Sequence, residues 1–205
     1  MEKDYRKDIS DIRDMMERSS RFISLSGLSG ILAGIYALIA AFIAFRIAYT
    51  YETIEYGEIL IRNVQGKRLE LLLIAISTLA LTVVTGIVLT KNKARKNNLP
   101  SWDSNAQKVV LNLLIPLVTG GVLVLLFYQY DLIKLIAPIT LIFYGLGLIN
   151  ASHYTYRDIR ILGLSEVLLG LIACIYTGYG LLFWSIGFGF LHIIYGTAMY
   201  MKYEK

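Results

Sequence analysis

The sequence predicts an all-α protein: a polytopic membrane bundle of six transmembrane helices joined by short loops, preceded by a cytoplasmic amphipathic helix. Three observations carry this reading. Residues 22–45, 71–90, 109–130 and 135–156 carry no formal charge, and between Ile161 and Met201 the only formally charged residue is Glu166. A helix over that last stretch would be roughly 60 Å long, twice a hydrocarbon core of about 30 Å, so it must fold back into two spans. Hydrophobic residues make up 56% of the chain, well above a soluble domain. In hydrocarbon the backbone must satisfy its own hydrogen bonds, so apolar stretches of this length are helices.

The elements follow in order. Residues 1–21 are highly charged, but Ile9, Ile12 and Met16 recur at three- and four-residue steps, the pattern of an amphipathic helix. Such a helix lies on the membrane surface or docks a protein partner. Residues 22–205 form the membrane domain, with spans predicted at about 22–45, 70–91, 109–130, 133–154, 158–177 and 181–201. An external loop is expected between Arg46 and Arg68. Glu52, Glu55 and Glu58 alternate there with tyrosines, and Gly66 suggests the turn back. A basic loop is expected from Lys91 to Lys108, broken by Pro100 and carrying Trp102 to the headgroup level. The last hairpin turns at Tyr176-Thr177-Gly178-Tyr179-Gly180.

The charge distribution orients the bundle. Of the 20 Lys and Arg residues, fifteen fall on the side that holds both termini and the loops after the second and fourth spans; five fall on the other. That bias places both termini in the cytoplasm of a multi-pass protein of a bacterial inner membrane. It also accounts for the net charge of +5 without nucleic acid, and it suits anionic headgroups on the cytoplasmic side. The one cysteine, Cys174, excludes an intrachain disulfide. Two histidines are too few for an evident metal site, no catalytic spacing stands out, and nothing calls for a cofactor.

Small residues at four-residue spacing mark close helix contacts, and on this basis Gly30, Gly34, Gly170 and Gly189 are expected to line them. Stepping back one turn from Gly170 reaches Glu166, and His192 lies on the stripe of Gly189 and Gly196. Each is thirteen residues from Tyr179, so an antiparallel hairpin sets them at one level, in the cytoplasmic third of the membrane. Asn112, Asn150, Ser29 and Tyr195 fall at a similar depth and join them as candidate ligand- or ion-binding residues. An ionisable residue within a span usually has a partner or a purpose. Three readings stay open: a polar cavity facing the cytoplasm, a hydrogen-bonded pair that fixes the hairpin, or a shallow Glu166 that reaches Arg160. Arg157 and Arg160 are the candidate headgroup-binding residues.

Four segments together resemble a family of small bacterial six-helix membrane proteins that carries no assigned activity. They are Ser19-Ser20-Arg21-Phe22 through Gly30, Asn112-Leu113-Leu114-Ile115-Pro116-Leu117, Tyr144-Gly145-Leu146 through Ser152, and Gly178 through Gly196. The resemblance implies the class and no ligand. The leading expectation is a non-enzymatic membrane protein that acts by binding, as a sensor or a membrane partner of other components. A small solute, ion or proton-coupled transporter or channel subunit comes second, and an intramembrane enzyme acting on lipid third. A protein docked on residues 1–21 and a second copy of the chain are the protein partners left open.

Overall fold

The computed structural model describes residues 26–48, 59–98 and 100–205, together with the isolated Ile9. The expected amphipathic helix over residues 1–21 and the glutamates of the loop after the first span lie outside the described residues. Among the described residues there is no strand, and six helical rods pack as a bundle. They are α1 (Gly27–Ala48), α2 (Ile59–Lys96), α3 (Ser104–Gln129), α4 (Ile136–Ala151), α5 (Asp158–Ile175) and a last rod in three pieces. The last rod consists of α6 (Gly180–Trp184), a π-helical segment (Ser185–Leu191) and α7 (His192–Tyr203).

Five of the rods are long and apolar enough to cross a membrane: Gly27–Ile47, Leu69–Lys96, Ser104–Gln129, Ile133–Tyr154 and Thr177–Tyr203. Helix α5 has 18 residues but carries Asp158, Arg160 and Glu166, too many charges for that class by composition alone.

Two boundaries differ from the sequence reading. Gly66 makes no turn: α2 begins at Ile59 and runs through it for 38 residues. One glycine costs a helix only about 1 kcal/mol, too little to end a rod so long. The expected loop from Lys91 to Lys108 shrinks because helices enter it from both ends. Asn98, in the left-handed region at φ 51°, stops α2. Asp103 starts α3, its Oδ1 accepting from the Ala106 N–H at 2.6 Å. At the other end of α3, Asp131 makes the turn at φ 58°, and the last hairpin turns through a 3-10 helix at Thr177–Tyr179.

Packing does not follow chain order. Helix α1 packs between α2 and the last rod, α5 packs on α4, and α4 packs on α3. Glycine sets the α1–α7 seam. A Cβ on Gly196 would stand 2.5 Å from the Ile31 nitrogen and 2.7 Å from the Gly27 oxygen, so only hydrogen fits. At the end of this seam the Glu204 carboxylate accepts from the Gly27 N–H, where the orphan donors of a helix start favour an anion, and pairs with Lys93 of α2 at 3.2 Å. Beside it Asp158 accepts from Lys202 at 2.8 Å and from the Tyr203 hydroxyl at 2.6 Å. These contacts tie α1, α2, α5 and α7 together at the basic end of the bundle.

A candidate buried Glu–His–Tyr centre

Three rods build the centre. Tyr144 comes from α4, Glu166 from α5 and His192 from the first turn of α7, just after the π-helical segment. The segment Ser185-Ile186-Gly187-Phe188-Gly189-Phe190-Leu191 holds two glycines, whose missing side chains lower the cost of widening the helix. Such widened turns recur at functional sites. Here the widening brings the Gly187 carbonyl oxygen to the His192 ring, 2.9 Å from Nδ1. A carbonyl only accepts, so Nδ1 carries the hydrogen. On the other edge of the ring the Tyr144 hydroxyl stands 2.7 Å from Nε2. It donates to a neutral ring and accepts from a charged one. Phe188 packs against both, with ring centroids 4.9 Å from Tyr144 and 5.8 Å from His192, and Trp184 packs on Phe188 at 5.0 Å.

Glu166 is 0% exposed. Its Oε1 lies 3.5 Å from His192 Nδ1, within ion-pair range, yet neither carboxyl oxygen has a hydrogen-bond partner among the described residues. The two facts agree once the hydrogen on Nδ1 is assigned to Gly187: the groups touch, but the bond goes elsewhere. The carboxyl group instead fills the notch that Gly187 leaves. A Cβ on Gly187 would collide with Glu166 Oε2 and with Leu141, and would crowd Leu169.

The other candidates separate. Tyr195 stands one turn beyond His192, packed with Tyr144 and Tyr156 on the cluster of Leu148, Ile159 and Leu162, and its buried hydroxyl also lacks a partner among the described residues. Ser29, Asn112 and Asn150 make no hydrogen bond to Glu166 or His192. Ser29 donates to the Ser26 oxygen at 2.6 Å, Asn112 donates to the Lys108 oxygen at 2.8 Å, and Asn150 is exposed. Depth along the axis does not fix which way a side chain faces, and short polar groups satisfy themselves on the preceding turn. Arg157 and Arg160 are exposed at the start of α5. The four glycines all sit at helix contacts. Gly30 faces Gly196, Gly34 faces Gly189 and Ile193, Gly170 faces Pro138 and Ile142, and Gly189 faces Leu38.

Sequence reasoning missed Tyr144. The signal was available: Tyr144 lies eleven residues before Thr155 and Glu166 eleven after, so the α4–α5 hairpin levels them as the last hairpin levels Glu166 and His192. Nothing in the sequence distinguishes the π-helical segment from an ordinary glycine-containing helix.

No protein-family model, curated protein or solved structure matches this chain. Fold and site define the class. It is an all-helical bundle with five rods long and apolar enough to cross a membrane, and a sealed carboxyl group at its centre.

Proposed function

We propose that this is a six-span, multi-pass inner-membrane protein that acts by reversible binding of a proton at Glu166, a sensor and not an enzyme. The observation that carries the reading is a fully buried carboxyl group whose two oxygens lack any partner among the described residues. A buried ionisable group of this kind in a membrane helix is a functional site by default. The proton is favoured over a metal cation because both imidazole nitrogens are already engaged. A hard cation asks for about six oxygens, a proton for one. The packing of Leu141 and Leu169 around the Gly187 notch likewise favours the smallest ligand. Membrane insertion of α5 is supported by an exposed stripe of Ile161, Leu164, Leu168, Leu171 and Ile175, a face suited to lipid.

The aromatic stack provides an internal reporter. In a Trp102→Phe background, Trp184 fluorescence is expected to titrate with pH, and Glu166→Gln is expected to abolish that titration. An unchanged titration in the glutamine variant, or a flat profile in the parent, would sink the reading. Proton-coupled transport is the second reading, favoured by the Tyr195 hydroxyl, which has no partner among the described residues and lies on the side toward the basic end. Proteoliposomes carrying a pH dye separate the two, since a sensor passes no net protons.

The orientation rests on the fifteen-to-five charge split. Reporter fusions at Lys96 and Lys205 are expected to be active only as cytoplasmic reporters, and a fusion at Glu55 only as a periplasmic one. An active periplasmic reporter at Lys96 or Lys205 would reverse the topology.

A further inference from the structure

We propose that protons reach Glu166 from the basic end of the bundle through Tyr195, which passes them from Asp158 and Tyr203 at the surface to the Tyr144–His192 pair inside. The inference rests on the reading of Glu166 as a proton site and adds the route and its sidedness.

Four observations carry it. The outer station is built: Asp158 accepts from the Tyr203 hydroxyl at 2.6 Å and from Lys202 at 2.8 Å, at the start of α5 where water can reach it. The inner station is built as well, Tyr144 to His192 at 2.7 Å and His192 to Glu166 at 3.5 Å. Between them lies the buried Tyr195 hydroxyl, with no partner among the described residues. Tyr195 packs on the same cluster of Leu148, Ile159 and Leu162 as Tyr144 and Tyr156, and the Tyr156 ring lies 4.1 Å from that of Tyr203, so it neighbours both stations. Register agrees: Tyr195 is three residues from His192 and eight from Tyr203 on one helix, about 4.5 Å and 12 Å along the axis. Buried polar groups are rarely left unpaired. A hydroxyl left so between two hydrogen-bonded stations is placed to bond to each in turn.

The step balances. A proton from bulk water enters at Asp158, and each phenol gives up its hydrogen on one side as it takes another on the other, with water bridging the longer gaps. Tyr144 delivers a proton to His192 Nε2. The ring then tilts its Nδ1 hydrogen from the Gly187 oxygen to Glu166 Oε1 and releases it, leaving a neutral ring protonated on Nε2, and the carboxylate becomes a carboxylic acid. Release runs the same steps backward. The titratable and charged groups facing this path are Tyr144 from α4, Tyr156 from the α4–α5 turn with Lys93 of α2 over its ring, Asp158 and Glu166 from α5, His192, Tyr195, Lys202 and Tyr203 from α7, and Glu204 just beyond α7, paired with Lys93.

The test uses the full chain reconstituted in one orientation in vesicles. The probe is the proton itself, delivered as a pH jump on one face and read by the infrared C=O stretch of the Glu166 carboxylic acid, assigned by its loss in Glu166→Gln. The band is expected to respond to a jump at the basic face and not at the opposite face. Tyr195→Phe is expected to slow the response on the order of a hundredfold, the usual worth of one positioned proton-transfer group. Tyr200→Phe, an exposed change on the same helix, should leave the rate alone. A response from the opposite face, or a Tyr195→Phe rate equal to that of the parent, would overturn the route while leaving Glu166 a proton site. The absence of any titrating band would overturn both. A Tyr195→Phe protein that misfolds would lose the band altogether instead of slowing it, and sidedness in the parent protein then decides alone.

Discussion

Gly196→Leu is expected to cost the bundle about 3 kcal/mol, the upper end for overpacking, because what it meets is backbone. The new Cβ would fall 2.5 Å from the Ile31 nitrogen, 2.7 Å from the Gly27 oxygen and 2.9 Å from the Gly30 carbonyl carbon. None of these can swing aside as a side chain would, so α1 must separate from α7. That separation also draws Gly27 from Glu204, and the tie to Lys93 weakens with it. Gly86→Leu and Gly121→Leu form the matched control, since a Cβ at either position meets nothing within 4 Å. Both changes add a better helix former and should alter stability by no more than about 1 kcal/mol, in the favourable direction. Unfolding in mixed micelles of increasing SDS content reads all three. Equal tolerance of Gly196→Leu and Gly86→Leu would mean that the seam is not where it is drawn.

The second large effect has the opposite sign. Glu166→Leu is expected to stabilise the bundle by about 1–3 kcal/mol, the desolvation penalty of a buried polar group left without a hydrogen bond. The Glu166 oxygens hold no hydrogen bond among the described residues, so removing them strands no partner. His192 keeps both of its bonds, to Tyr144 and Gly187. Contrast a true buried ion pair, in which deleting one member is strongly destabilising. The same micelle titration decides between them. A Glu166→Leu protein less stable than its parent would make Glu166 a structural partner of His192 and remove the basis for a binding role. A more stable protein with no Trp184 titration is the signature of stability given up for function.

The sequence carried much of this architecture for a physical reason. Uncharged runs of bilayer length admit one backbone solution, so the rods and the Tyr176–Gly180 turn could be read directly. Helix ends were less legible. Nothing local marks that α2 passes through Gly66, because the cost of one glycine is small against the rest of a 38-residue helix. The level of Glu166 and His192 followed from counting residues on a hairpin. Azimuth did not: Asn112 and Asn150 share the depth but face away from the centre, and Tyr144, midway along α4, carries no charge to set it apart from the apolar residues around it. The π-helical segment was invisible because its two glycines and apolar residues read equally well as an ordinary helix.

The seam between α1 and α7 has a consequence for how the protein is made. Helix α1 finds its glycine-lined partner only in residues 187–204, some 160 positions farther along the chain. At ribosomal rates synthesis of that partner follows α1 by on the order of ten seconds, and until then the face stays uncovered. During this interval the close-packing surface of α1 is open to any neighbour with small residues at the same spacing.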